Sequence, residues 1–353
     1  MITEKLVQDV FAPRPGEQVT LLTDNAPRQR EVIDAFGAAF QRLGFSPRLV
    51  IYPPTGGNSA PLPEAATVDG KTINLTGLLD ALGKKDIVIA ASSTSSSGPM
   101  FSRLKQGFRV ATMPGATLDM SAFGADYRKV RTRSHLLRDK LNATNRAIVS
   151  FSTGHRLSFD LRVHRAKADD GDCTRPGCGI NLPSGEAFIV PYEGRGSRTA
   201  GEWPIAGKEG VTVFRVERNT IVKVEGAKAD FFSRTFQQHP AQRNIAELGL
   251  GCNEKAAMIG TILQDEKVEG MHIAYGMSSH LGGTVTPEMF LPGSSVHEDF
   301  VYAKGGPITV ESLVLEIDGK EEMVLRNGRF TAFGQRRCGK GVGQGLTRKK
   351  RKH

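Results

Sequence analysis

QVTLLTDNAPRQREVIDAFGAAFQRLGFSPRLVIYP, residues 18–53, carries the pattern from which the fold class follows. QVTLLTD (18–24) is a short apolar strand. PRQREVIDAFGAAFQRLG (27–44) puts Val32, Ile33, Phe36, Ala39, Phe40 and Leu43 on one helical face, with Gly44 as its stop. PRLVIYP (47–53) is a second strand. Strand, helix, strand at this spacing predicts an α/β unit with a largely parallel sheet. The pattern continues through TGLLDALGKK (76–85, helix), DIVIAAS (86–92, buried strand), FRVATMPG (108–115, strand) and a charged helical segment from Met120 to about Leu141. The expectation is an α/β N-terminal domain with a mostly parallel sheet over residues 1–145. SSTSSSG (92–98) ends one of these strands, but neither GxGxxG nor GxxxxGK[ST] occurs, so an ordinary loop is preferred to a nucleotide site.

Beyond residue 145 the texture changes to short alternating runs: RAIVSFST, RLSFDLRVHRA, EAFIVPYEG, GVTVFRVERNTIVKVEG, MHIAYG, DFVYAK and LVLEIDGKEEMVLRNGRF. Asp318-Gly319 and Asn327-Gly328 are hairpin signals. Residues 146–335 are therefore expected to form a β-rich, antiparallel C-terminal domain, and residues 336–353 a basic tail.

At 353 residues, with 39% hydrophobic and 24% charged side chains, the chain reads as a globular protein of two domains. No apolar run approaches the roughly 20 residues needed to span a bilayer, and MITEKLVQDV lacks the order of a signal peptide, so no membrane partner and a cytoplasmic location are expected. The net charge is +10, but Arg336, Arg337, Lys340, Arg348, Lys349, Lys350, Arg351 and Lys352 supply eight of those charges and leave the rest at +2. A Gly-rich basic tail is expected to be disordered and solvated, with contact to nucleic acid, an acidic partner or a membrane surface as the minority reading. Cys173 and Cys178 form a single C-x4-C pair, which is no zinc signature; ordinary loop thiols are expected there, a redox-labile disulfide being the alternative.

Four segments of the second half concentrate metal-ligand chemistry. They are NLPSGEAF with Glu186, NIAELGLG with Glu247, DEKVEGMHIAYG with Glu266 and His272, and SSVHEDF with His297 and Asp299. On a strand, His297 and Asp299 share a face, and Glu266 would share one with His272 if the strand ran regularly through Gly270. Four carboxylates and two imidazoles suffice for a two-metal site, which is usually hydrolytic. Taken singly, each glutamate reads equally well as an exposed turn residue.

NLPSGEAFIVP, AELGLGCNEKA, DEKVEGMHIAYG and the final HxD together resemble the M29 (thermophilic aminopeptidase T) family of metallo-aminopeptidases. Residues 150–330 resemble that family motif by motif and the N-terminal part does so loosely. The resemblance implies a dinuclear peptidase that removes N-terminal residues from small peptides or amides and forms a homodimer. It also implies that Glu186, Glu247, Glu266, His272, His297 and Asp299 are the metal ligands, with Glu247 bridging. Two divalent ions (Zn, Mn or Co) suit the mixed oxygen and nitrogen donors. Those peptidases place a tyrosine seven residues after the histidine matching His272; here that position is Ser279, leaving His280 or Tyr275 as the expected oxyanion donor. A related branch, the iron-dependent dihydroxypyridine ring-cleaving dioxygenases, also resembles this sequence and keeps the counterparts of His272, His297 and Asp299 around one Fe(II). It has an apolar residue at the position of Glu186, so that glutamate favours two metals. The third reading is a non-catalytic relative that binds RNA or protein through its tail. A solvated tail predicts that trimming it leaves heparin retention unchanged; salt-dependent retention that vanishes with the tail would identify the contact reading instead.

Overall fold

The computed structural model describes residues 2–55 and 60–333, so the basic tail expected at 336–353 and Cys338 lie outside the described residues. It shows a mixed α/β protein with three sheets. In the first, seven strands run in the order Gly179–Asn181, Arg109–Pro114, Asp86–Ser92, Gln18–Thr23, Arg48–Ile51, Ala65–Val68 and Lys71–Asn74. The first five pair in parallel; the last two form an antiparallel hairpin whose turn, at Asp69 and Gly70, has both residues at positive φ. The helix Pro27–Arg42 packs Val32, Ile33, Phe36, Ala39 and Phe40 on the face carrying Val19 and Leu21, while Leu22, Val50, Val88 and Val110 serve the opposite face. Both faces are covered, which is why these strands read as continuous apolar runs.

The second half contains two antiparallel sheets. Eight strands run in the order Thr220–Gly226, Gly210–Glu217, Ala200–Gly207, Arg156–Asp160, Thr144–Phe151, Val310–Ile317, Lys320–Arg326 and Arg329–Phe330. The other sheet has five strands: His297–Ala303, Gly270–Gly276, Ile245–Gly251, Glu186–Ile189 and Lys167–Asp169. Their facing sides share one core, with Phe151, Phe159, Trp203 and Phe214 against Leu248, Leu250, Met271, Ile273, Tyr275 and Tyr302. Because side chains alternate along a strand, the other face of the five-stranded sheet is left to the residues in between, and these include Glu247, His272, His297 and Asp299.

The sequence boundary near residue 145 is crossed in both directions. Gly179–Asn181, from the second half, joins the edge of the first sheet beside Arg109–Pro114. The helix Tyr127–Asn142, from the first half, places Tyr127 in the first core and Leu137 and Leu141 in the second.

Trp203 is fully buried against Phe214 and Phe300, and its Nε1 donates to the Tyr302 hydroxyl at 2.5 Å. Trp203→Ala is expected to lower unfolding stability by about 3–5 kcal/mol in a denaturant titration followed by circular dichroism. A loss below about 1 kcal/mol would mean that the two sheets do not share this core.

Candidate metal centre

The exposed-turn reading of the glutamates fails at once: Glu186 and Glu247 are buried, and His272 is 1% exposed. Antiparallel pairing explains how they meet. Glu247 lies opposite Ala274, which lies opposite Asp299; His297 pairs with Gly276, His272 with Gly249, and Glu186 with Gly251. Directly paired residues project to the same side of a sheet, so ligands from four strands share one surface. The glycines on that surface provide the room. A Cβ on Gly249 would stand 1.9 Å from His272 Nε2, and one on Gly251 would stand 2.4 Å from the Glu266 carbonyl oxygen. Thus the apolar–glycine alternation of LGLG builds core on one face and a cradle on the other.

Two donor clusters result, Glu186 with Glu266 and His272, and Glu247 with His297 and Asp299; within each, one ligand atom per residue lies within 4.8 Å of the others. Glu247 joins them: its Oε1 is 3.3 Å from His272 Nε2 and its Oε2 is 3.1 Å from His297 Nε2. Glu266 arrives by a different route from the regular strand expected, as the C-cap of the short helix Ile262–Asp265. Its carboxylate still reaches the His272 cluster. Tyr275 does not join. It pairs one position out of phase with His272, faces the core among Trp203, Phe236 and Phe300, and donates its hydroxyl to Glu298. Strand parity removes it from the oxyanion role. His280 does stand at the site, with its ring edge-on to His297 and 4.7 Å between centroids.

Reading the sequence missed Lys267 and Asp169. Lys267 is fully buried, with Nζ at 2.5 Å from Glu186 Oε1, 2.8 Å from Glu266 Oε1 and 3.1 Å from Asp169 Oδ2. Nothing in DEKVEG separates this lysine from a solvated one. Burial works against its charge, but Glu186, Glu266 and Asp169 outweigh it and hold the ammonium well above the usual lysine range. Burial would also raise Glu186 and Glu247, yet Lys267 and His272 bring the first, and His272 and His297 the second, down to about 2. Glu266 goes the other way: burial, with Glu186 and Asp299 nearby, pushes it up to about 8 despite Lys267. The cluster is short of positive charge.

The donor set fits divalent cations on three counts. Asp169, Glu186, Glu247, Glu266 and Asp299 carry five negative charges when ionised, Lys267 returns one, and two divalent ions would close the balance. The His297 Nδ1–H donates to the Met277 carbonyl at 2.7 Å, which leaves the Nε2 lone pair of a neutral ring facing Glu247 Oε2. Two acceptors at that separation repel unless a proton or a metal ion lies between them. Finally, Asp299 Oδ1 is buried and accepts no hydrogen bond.

A model of the family described as 2,5-dihydroxypyridine 5,6-dioxygenase, NicX, matches residues 10–276, and the chain belongs to that family. The match includes Glu186, Glu247, Glu266 and His272 and ends before His297 and Asp299. No curated protein matches the chain in sequence. Among solved structures, the 2,5-dihydroxypyridine dioxygenase of Pseudomonas putida KT2440 is similar with a TM-score of 0.69 at 17% identity, covering 93% of this chain and 96% of that one. Wild-type AmpT from Thermus thermophilus is similar with a TM-score of 0.59 at 16% identity, covering 93% and 98%. The shared fold thus relates this chain to both branches that the sequence resembles, and the family is one of enzymes. Among the described residues, no helix is long and apolar enough to cross a membrane.

Gly249→Ala should push the His272 ring aside. The expected result is the loss of at least one bound metal equivalent by elemental analysis while circular dichroism stays native; unchanged metal content would show that the cradle is not needed.

Proposed function

We propose that this member of the family is a dinuclear metal-dependent hydrolase of amide or peptide bonds, acting as an aminopeptidase on small peptides. The observation that carries the reading is the position of Glu247, whose two oxygens face one histidine from each three-donor cluster. Glu186, Glu266 and His272 would hold one ion, His297 and Asp299 the other, and Glu247 would bridge. Ions bound there supply Lewis acidity and an activated water. The protein's own groups do the positioning. Lys267 fixes Oε1 of both Glu186 and Glu266 and so leaves their second oxygens to the ligand position. Met277 fixes the tautomer of His297, and the sheet excludes water from behind. His280, exposed beside His297, is placed to donate a hydrogen bond to the oxygen of a scissile carbonyl.

The family description favours a second reading, a dioxygenase acting on a hydroxylated pyridine, for which the sequence resemblance implies one iron held by His272, His297 and Asp299. Two histidines and one carboxylate with open positions suit that chemistry. Against it, the histidines divide between two clusters, and four further buried or half-buried carboxylates have no task in a three-ligand site. A silent relative acting through its tail has no support in so costly a buried array.

Elemental analysis of anaerobically purified protein, with a screen of aminoacyl amides, separates the readings. Two non-redox ions per chain and amide turnover are expected; one iron per chain with oxygen uptake on 2,5-dihydroxypyridine would establish the second reading in its place. Glu247→Ala is expected to lose at least one metal and to lower turnover by about 100-fold or more, beyond the cost of removing an outer-shell partner. Full metal content and turnover in that variant would remove the bridging assignment.

A further inference from the structure

Two strand edges lie across from each other without strand partners among the described residues. His297–Ala303 ends the five-stranded sheet and pairs only with Gly270–Gly276. Ala200–Gly207 pairs along its length with Gly210–Glu217 but meets Arg156–Asp160 only at Ala200 and Gly201, so its later residues have one free side. The Tyr302 hydroxyl accepts from Trp203 Nε1 and donates to the Pro204 carbonyl at 2.7 Å, and so ties the two edges together. Between them lies a cleft of about 260 Å³, with Ile205 and Ala206 on one side and the consecutive residues Asp299–Tyr302 on the other. Successive side chains of a strand point to opposite faces, so a cleft touching four in a row follows the backbone edge. Met258 and Ile262, 40% and 45% exposed, add an apolar wall.

We propose that this cleft is the substrate channel of the metal centre. It takes an extended peptide as an added strand along Asp299–Tyr302, with an apolar residue against Met258 and Ile262. The inference rests on the hydrolytic reading above and deepens it by naming where and in what conformation the peptide binds. Asp299 belongs to both places: it is a member of the second donor cluster and lines the start of the cleft. A chain paired with this edge would therefore run past the second donor cluster. Strand addition draws affinity from repeating backbone amides and specificity from alternate side-chain pockets. A single hydroxylated ring has no such repeat to offer. Four residues of edge correspond to about 13 Å at roughly 3.3 Å per residue, room for about four substrate residues.

The test is calorimetric binding of a tetrapeptide amide, Leu-Ala-Leu-Ala-amide, to chelator-treated protein, followed by variants carrying one backbone N-methyl group each. Strand addition predicts a period of two: affinity falls about five- to ten-fold when the methyl replaces an amide proton facing the edge and changes by less than about two-fold at the intervening residues. Ile262→Asp is expected to weaken the parent peptide while circular dichroism stays native. A uniform or absent methylation effect, in protein that still holds two metals and cleaves peptides, overturns strand addition and leaves the hydrolytic reading standing. No peptide binding, with one iron per chain and oxygen uptake, removes the hydrolytic reading and the channel with it. Peptide binding that appears only when a dimer is dissociated would assign the edge to a second copy and also overturn the proposal.

Discussion

Like-charge repulsion on one face of a five-stranded sheet is the constraint on which the rest of the second half depends. Two unit charges about 4 Å apart interact by about 4 kcal/mol at an effective dielectric near 20, and this face gathers five carboxylates at that order of separation. Lys267 answers part of the repulsion from within the fold, and it does so without exposure to solvent. The imidazoles answer another part by taking up protons: burial alone would lower His272 and His297, but the carboxylates hold both well above the usual histidine range. A cation on the same donors would replace those protons and return both rings to the neutral form in which imidazole ligates. The apolar packing behind the sheet, from Leu248 to Tyr302, keeps so unfavourable an array in register.

Much of this was legible in the chain because strands obey a period of two. QVTLLTD, DIVIAAS and FRVATMPG marked the parallel sheet, and the HxD of SSVHEDF marked two groups on one face; the structure keeps these elements, down to positive φ at Asp318, Gly319, Asn327 and Gly328 in the hairpin turns. What stayed hidden depends on contacts between distant segments. Lys267 looks like any surface lysine until the loop after Asp265 folds over Gly251. Asp169 sits on a three-residue edge strand too short to show a pattern. Tyr275 drew attention by proximity in sequence, and parity along its own strand, visible in MHIAYG, already opposed it. The hairpin Ala65–Val68 and Lys71–Asn74 went unread because its strands are only four residues each and, apart from Ala66, are half-buried or exposed.

The geometry gathers into two clusters the same six residues that the sequence resemblance singles out. His272, His297 and Asp299, which the resemblance assigns to a ring-cleaving site, are a subset of the donors in the two clusters, so the two proposed chemistries would differ by what surrounds that subset. Here the surroundings are Glu186, Glu247, Glu266 and the ammonium of Lys267. An apolar residue in place of Glu186 would leave Lys267 with one fewer counter-ion and His272 with one fewer neighbour. A change at one position would therefore alter the charge available to an ion.

The strand Gly179–Asn181 belongs to the first sheet, and five residues beyond its end the chain delivers Glu186 to the second. Asn181 is itself locked in place, because its side-chain carbonyl accepts from Thr112 Oγ1 at 2.7 Å. A ligand of the proposed centre thus hangs on a short tether from the parallel sheet. The N-terminal half is in this sense a jig for the site although it contributes no donor of its own. An exchange of that half would therefore have to preserve the Arg109–Pro114 border to keep Glu186 in place.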